Sequence, residues 1–276
     1  MNSILLAVLL VAGIGLIAGV GLSVASVVMA VPTDETADAI RECLPGANCG
    51  ACGFSGCDGY AAALSSGETK ETNLCAPGGN ETAKAVAAVL GVEAGSIKPM
   101  AAVVHCNGTT ENSAKKLQYQ GVQSCVMAAQ LFGGQKACVY GCLGYGDCVN
   151  ACEYDAISIC DGVARVNPLA CRACKKCISA CPKGLIELLP LYETKAAVLC
   201  KNHNKGAFTR KECKVGCIGC MKCTKVCESD AIRVENNTAH VDYDKCIACG
   251  KCVSECPVGA IHLLTLADGQ KTAAAG

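Results

Sequence analysis

Nine cysteines of this chain recur 75 residues further on without a gap. Cys125, Cys138, Cys142, Cys148, Cys152, Cys171, Cys174, Cys177 and Cys181 land on Cys200, Cys213, Cys217, Cys223, Cys227, Cys246, Cys249, Cys252 and Cys256. Other residues follow the same shift: Gly141/Gly216, Asp155/Asp230, Ala156/Ala231, Ile157/Ile232, Pro182/Pro257 and Gly184/Gly259. Two cysteines break it, because Cys220 faces Tyr145 and Cys160 faces Glu235. Self-similarity at a fixed period constrains architecture more than any local propensity. The chain carries two copies of one module behind a separate amino-terminal segment.

Each copy halves again. A cysteine motif is followed by Ala-Ile or Leu-Ile at Cys152-x3-Ala156-Ile157, Cys181-x3-Leu185-Ile186, Cys227-x3-Ala231-Ile232 and Cys256-x3-Ala260-Ile261. Between the halves lie β-like pieces, Val163–Val166 and Thr238–Val241. The pattern predicts a small α+β unit with pseudo-twofold symmetry, two short hairpins and two short helices. Helices this short are marginal alone. With three Phe and no Trp in 276 residues, but 26 Cys, the chain lacks the side chains for a large aliphatic and aromatic core. The cysteines must hold the modules together.

Their spacing says how. Cys217-x2-Cys220-x2-Cys223-x3-Cys227, Cys246-x2-Cys249-x2-Cys252-x3-Cys256-Pro257 and Cys171-x2-Cys174-x2-Cys177-x3-Cys181-Pro182 match the bacterial ferredoxin run. In that run three closely spaced thiolates reach one cubane and the distal cysteine crosses to the other cluster. The rule predicts Cys217, Cys220, Cys223 and Cys256 on one [4Fe–4S] cluster, Cys246, Cys249, Cys252 and Cys227 on its neighbour, and Cys171, Cys174, Cys177 and Cys152 on another. Zinc ribbons use separated C-x2-C pairs, and disulfides belong to oxidising compartments. Neither suits cysteines crowded into single loops, in doublets, followed by Pro.

The first motif of copy one lacks its middle cysteine. Cys142, Cys148 and Cys181 need a fourth ligand, and the nearest spare, Cys138, is the expected one. In an alternative arrangement Cys125, Cys138, Cys200 and Cys213 form a quartet of their own, and copy one borrows Cys106 or Cys160 or holds a three-iron cluster. Unligated, Cys106 and Cys160 read as buried small hydrophobes.

The amino-terminal segment has its own quartet, Cys49-x2-Cys52-x4-Cys57-x17-Cys75, set among glycines that permit close backbone approach. It is expected to hold a fifth [4Fe–4S] cluster, with Cys43 a spectator. Asn80 is positioned to cap a helix over 81–90 that stops at Gly91.

No charged side chain occurs from Met1 to Thr33. Residues 4–31 form an apolar run long enough to span a bilayer as a helix, which needs about 20 residues. A signal peptide would have a basic start and an apolar stretch of about 7–15 residues. This run has no Lys or Arg and is longer, so a retained transmembrane helix is expected despite the loosely cleavage-like Val28-Met29-Ala30. Gly15-x3-Gly19 offers a close-packing face to a partner helix. Gly13-x-Gly15 follows no strand and is no dinucleotide fingerprint. The flanks hold too little positive charge to fix orientation.

A formal net charge of zero and 4% aromatics give no footprint for nucleic acid. There is no Rossmann fingerprint after a strand, no P-loop and no Ser/His/Asp signature. His105, His203, His240 and His262 show no ligand spacing to one another. The chemistry is one-electron transfer, with no catalytic residue and no bond-breaking site on this chain. The expected division is an anchor (1–33), an amino-terminal cluster domain (34–98), a cysteine-containing linker (99–136), ferredoxin-like modules at 137–190 and 198–265, and a flexible tail (266–276).

A membrane anchor, then CGACGFSGC…CAPGG, then two ferredoxin modules resembles the B subunit of the Rnf electron-transport complexes, in the long variant with tandem modules. The resemblance covers essentially the whole chain. Departures are Glu153 and Glu228, where ferredoxins often have Pro, and Tyr145 for Cys. It implies a component of an ion-translocating ferredoxin:NAD⁺ oxidoreductase that couples electron flow to Na⁺ or H⁺ movement. Soluble ferredoxin would be the donor, and the other Rnf subunits and the lipid bilayer the partners. The implied location is the cytoplasmic (inner) membrane, single-pass, with the cluster domains on the cytoplasmic side. Competing readings are a ferredoxin-like component of a membrane hydrogenase or corrinoid-linked enzyme, and a non-enzymatic metal store or redox sensor.

Overall fold

A computed structural model describes residues 3–28, 34–190 and 193–265. The tail expected at 266–276, and residues 29–33 of the expected anchor, lie outside the described residues. The first helix, α1 (Ser3–Val28), has 26 residues, a length of about 39 Å at 1.5 Å per residue. Every side chain from Val8 to Val24 is exposed, and mean hydropathy over Val8–Ser26 is 2.4. A bare apolar rod of this length is long and apolar enough to cross a membrane.

Three helices build the amino-terminal domain: α2 (Glu35–Cys43), α3 (Cys57–Ser65) and α4 (Gly79–Leu90). Asp34 caps α2, its carboxylate accepting from the Thr36 and Ala37 N–H groups. Ile40, Tyr60, Leu64 and Val86 bury one face of each helix in a common core with Leu44, Cys57 and Cys75. Gly91 ends α4 in the left-handed conformation, φ 67°. Asn80 does not cap α4, which begins one residue earlier with Gly78 at the cap; its side chain instead accepts from the Ile97 N–H at 2.7 Å.

The two modules repeat one plan. The first runs β1 (Ala101–Val104), α5 (Cys125–Gln130), α6 (Asp147–Asn150), β2 (Ile157–Cys160), β3 (Val163–Val166), α7 (Lys176–Ala180) and β4 (Ile186–Leu189). The second runs β5 (Lys195–Val198), α8 (Gly206–Glu212), α9 (Lys222–Lys225), β6 (Ile232–Glu235), β7 (Thr238–Val241), α10 (Lys251–Ser254) and β8 (Ile261–Leu264). Each has one true hairpin, β2–β3 or β6–β7. Its turn is Asp161-Gly162 or Asn236-Asn237, both central residues at positive φ, the geometry that matches strand twist. The second expected hairpin is instead an end-to-end pairing: β1 with β4 (Ala101↔Leu189) and β5 with β8 (Lys195↔Leu264), both antiparallel. Residues 101–104 are therefore not linker, because β4 would otherwise have no partner. The linker expectation for 99–136 is corrected to that extent.

The end-to-end sheets also join the modules. All four residues of β1 and of β5 are buried. One face enters each module's own core, with Ala102 and Val104 in the first and Ala196 and Val198 in the second. The other faces meet, packing Ala101, Val103 and Leu189 against Ala197 and Leu199. Across this seam Asn107 N–H donates to Leu199 C=O at 3.1 Å, His105 Nδ1 lies 2.8 Å from Val198 C=O, and Ser113 Oγ donates to Glu212 C=O at 2.9 Å. The two departures from ferredoxin Pro obey the repeat: Glu153 pairs with Lys176 and Glu228 with Lys251. Exposed pairs of this kind contribute little stability.

Candidate metal centres

In the amino-terminal domain the cysteines sit on the loop between α2 and α3 and just before α4. Asn48 organises that loop, its side-chain oxygen accepting from the Cys57 N–H at 2.8 Å. Gly56 has φ 141°, and a Cβ there would stand 3.0 Å from that same oxygen, so only glycine fits. Cys49, Cys52, Cys57 and Cys75 line one cavity of about 310 Å³. Burial, and then Cys57, Cys49 and Cys52, push the Cys75 thiol up.

Electrostatic crowding sorts the module cysteines into groups of four. Burial, then Cys171, Cys174 and Cys152, push the Cys177 thiol up to about 11. Burial, then Cys217, Cys220 and Cys256, do the same to Cys223, also to about 11. Cys252 is raised by burial and then by Cys246, Cys249 and Cys227; these three and Cys252 line a cavity of about 300 Å³ together with Ile247 and Ala248. The three groupings agree with the ferredoxin spacing rule. Backbone N–H groups point at the sulfurs in repeat-related pairs. Ala164 donates to Cys142 Sγ and Ala239 to Cys217 Sγ, both at 3.4 Å, and Ala231 donates to Cys227 Sγ and Ala260 to Cys256 Sγ, both at 3.3 Å. Such donors favour thiolate over thiol and are the outer-shell partners that cluster ligands use.

At the irregular motif of the first module the fold gathers a different fourth cysteine from the expected one. Cys142, Cys148 and Cys181 share a cavity of about 350 Å³ with Cys125, not with Cys138. Burial, then Cys142, Cys125 and Cys181, push Cys148 up to about 12. The physical reason is an insertion. Cys106 follows β1 by two residues as Cys200 follows β5, so these two are structural equivalents. Between them and Cys138 or Cys213 the first module carries 31 residues against 12. Cys125 lies in the added stretch, and its match to Cys200 at a shift of 75 is a coincidence of length. The insertion folds over the place where Cys220 stands in the second module. Tyr145 there packs on Tyr119, ring centroids 5.5 Å apart, beside Cys125, Ala128 and Leu143.

Asp147 fixes the position of Cys125. Its carboxylate accepts from Ser124 Oγ (2.9 Å), Cys125 N–H (3.0 Å) and Val126 N–H (3.1 Å). Burial opposes the charge, but these hydrogen bonds win and hold the carboxyl below the ordinary carboxylate range. The second module has Lys222 at this point and needs no such device. Asp147→Ala should loosen the start of α5 by on the order of 2 kcal/mol, the scale of losing a cap with charge-assisted hydrogen bonds. Iron at this site should then exchange with a chelator faster than iron in the second module, as followed by visible absorbance.

Cys138 faces another cavity, of about 370 Å³, shared with Cys106, Cys200 and Cys213. Neither quartet expected from the sequence, Cys138 with Cys142/Cys148/Cys181 or Cys125 with Cys138/Cys200/Cys213, is the one the fold assembles. Cys43 donates its S–H to Ala39 C=O of its own helix at 3.4 Å, and Cys160 lies on β2 near Ser158. Among the described residues no three His, Cys, Asp or Glu side chains converge closely enough for a single metal ion.

Family models match at three places: FeS, for an Fe-S cluster, over 44–77; a 4Fe-4S dicluster domain over 212–263; and a 4Fe-4S binding domain over 168–184. The chain is 44% identical over 95% of its length, and 78% of the relative's, to the B subunit of the Na(+)-translocating ferredoxin:NAD(+) oxidoreductase complex of Acetobacterium woodii. It is 42% identical over 95% of its length, and 100% of the relative's, to the B subunit of the ion-translocating oxidoreductase complex of Methanosarcina acetivorans. The chain belongs to the family of Rnf B subunits. An Rnf B subunit is an electron-transfer subunit of an ion-translocating oxidoreductase, which agrees with a chain that carries 4Fe–4S-binding domains behind a candidate membrane span. The B subunit of the proton-translocating ferredoxin:NAD(+) oxidoreductase complex of Clostridium ljungdahlii is 40% identical over 95% of this chain and 93% of its own. Over 57% of this chain and 68% of its own length, the Shewanella amazonensis B subunit of the ion-translocating oxidoreductase complex is 32% identical.

Proposed function

We propose that this chain is a membrane-anchored electron relay that takes electrons from reduced ferredoxin and delivers them within an Rnf-type complex. Its ligand sets would be Cys49/Cys52/Cys57/Cys75, Cys152/Cys171/Cys174/Cys177, Cys125/Cys142/Cys148/Cys181, Cys217/Cys220/Cys223/Cys256 and Cys227/Cys246/Cys249/Cys252. [4Fe–4S] groups bound there supply one-electron carriers. The chain's own part is to hold them in line and to shield them.

The observation that carries this reading is that the quartets adjoin one another within each module and between the amino-terminal domain and the first module. Cys49 of the amino-terminal domain lies close enough to raise the Cys174 thiol of the first module, and Lys175 reaches across to Ala51 C=O at 3.0 Å. Within the first module Cys148 feels Cys177 of the next quartet. In the second module α9 and α10 bring Cys223 and Cys252 into one core. Cys220 and Cys249 are the two exposed cysteines of the 26, and exposed Met221 and Ile247 flank them. A soluble donor can therefore approach the second module most closely, which supports it as the place where electrons enter. The amino-terminal quartet, next to the anchor in the chain, is the far end. The helix α1 would cross the cytoplasmic membrane with the modules on the ferredoxin side.

Mixing the anaerobically prepared full chain with reduced ferredoxin tests this. Rapid bleaching of the broad visible absorbance is expected. A protein that stores metal or senses redox state would bleach slowly or not at all.

A further inference from the structure

The seam between the modules holds four more thiols. We propose that Cys106, Cys138, Cys200 and Cys213 bind a sixth [4Fe–4S] cluster, which joins the two ferredoxin modules electrically and mechanically. This deepens the relay reading and rests on it.

The site is built, not incidental. Its cavity, about 370 Å³, is no smaller than the cavities of about 310 and 300 Å³ at quartets inside the stretches that match iron–sulfur family models. It obeys the symmetry of the modules. Cys106 and Cys200 each stand two residues beyond the first strand, and Cys138 and Cys213 each stand four residues before the next motif. Each module thus contributes two ligands. The sulfurs are close: a Cβ on Gly108 would lie 3.5 Å from Cys106 Sγ and 3.6 Å from Cys213 Sγ, so these two are within about 7 Å.

Hydrogen-bond donors also converge in matched pairs. Gly108 N–H donates to Cys106 Sγ and Asn202 N–H to Cys200 Sγ, both at 3.4 Å. Cys142 N–H donates to Cys106 Sγ at 3.3 Å, and the Cys217 backbone lies beside Cys200 in the second module. Asn202 adds its side-chain amide, 3.4 Å from Cys138 Sγ. These donors favour anionic sulfur. So does Lys136. Its side chain is only 3% exposed, and its ammonium is held by Gly108 C=O at 2.7 Å and Gly162 C=O at 2.8 Å. Among the described residues no carboxylate pairs with it. A buried cation without a counter-charge is costly, and the anionic group that fits beside Cys106, Cys138 and Cys213 is a thiolate-ligated cluster.

The site completes the relay. Cys106 touches the Cys142 backbone of the quartet on one side, and Cys200 touches Cys217 of the quartet on the other. Transfer across the seam moves one electron: the receiving cluster is reduced by one charge as its neighbour is oxidised by one, and no proton is needed. Without this site the two modules would face each other across Ala, Val and Leu side chains.

Iron and acid-labile sulfide per chain decide the matter. The anaerobic full-length protein should carry roughly twenty-four iron atoms, four for each of six cubanes. The double variant Cys106→Ser/Cys213→Ser should lose roughly four, whereas Cys43→Ser/Cys160→Ser should lose none. A wild-type count of roughly twenty, an unchanged count in the first variant, or zinc replacing iron at the seam would overturn the proposal. The wild-type count needs no variant to fold. Failure of the relay reading shows differently, as full iron content that ferredoxin does not reduce.

Discussion

Stripping iron anaerobically from the full chain is expected to unfold both ferredoxin modules while much of the α2–α4 domain stays helical. The modules have little else. Their sheets are two-stranded pairs of four residues, which are marginal in water. Helices α6, α7, α9 and α10 have four or five residues, far below the length at which a helix persists alone. Their cores are made in large part of the cysteines themselves: Cys142, Cys148 and Cys177 in one, Cys217, Cys223 and Cys252 in the other. Structural metal sites contribute about 10 kcal/mol or more, comparable to the whole stability of a small domain, about 5–15 kcal/mol. The amino-terminal domain differs. Ile40, Tyr60, Leu64 and Val86 join three helices of nine to twelve residues in an aliphatic and aromatic core, and Tyr60 OH donates to Glu71 C=O at 2.6 Å. Loss of strand signal in circular dichroism and protease cutting confined to the region after residue 100 would bear this out. Protease-resistant modules without iron would contradict it.

Cys125→Ala is expected to destroy or convert the cluster of Cys142, Cys148 and Cys181, and Cys138→Ala to leave that cluster intact. The expectation depends on the insertion, not on the motif. In the second module Cys220 arrives within the tight loop itself. In the first, Tyr145 occupies that place and the thiol gathered with the other three is Cys125 at the start of α5, held by Asp147. Removing Cys125 leaves three ligands, so a three-iron cluster with its own electron paramagnetic resonance signal in the oxidised protein, or the loss of roughly four iron atoms, should result. An iron count and a paramagnetic resonance spectrum unchanged by Cys125→Ala would overturn the ligand assignment.

Much of this was legible in the residues. Spacing alone predicts the quartets at Cys171, Cys217 and Cys246, because three ligands in one tight loop leave the chain few alternatives. The β3 and β7 strands, the Gly91 stop of α4 and the apolar α1 were legible for similar reasons, each being set by local sequence. The missed features are long-range. The pairing of β1 with β4 closes over 80 residues, and nothing local in Ala101–Val104 marks it as the partner of Ile186–Leu189. Its residues are apolar without alternation because both faces are buried, a pattern that length alone cannot assign. Once β1 is placed, Cys106 falls into register with Cys200 and Cys125 drops out. The signal was present in the unequal distances to Cys138 and Cys213, but a fixed shift of 75 concealed it.

The most direct measurement of a continuous relay is the number of electrons the chain takes up rapidly from reduced ferredoxin, read by stopped-flow absorbance under anaerobic conditions. The wild-type chain should fill in one fast phase with about six electrons, one for each cubane. The Cys106→Ser/Cys213→Ser variant should take about two rapidly, those of the second module, with the rest delayed. A wild-type chain that accepts only two quickly, or a variant that fills completely at the wild-type rate, would show that electrons do not travel through the seam.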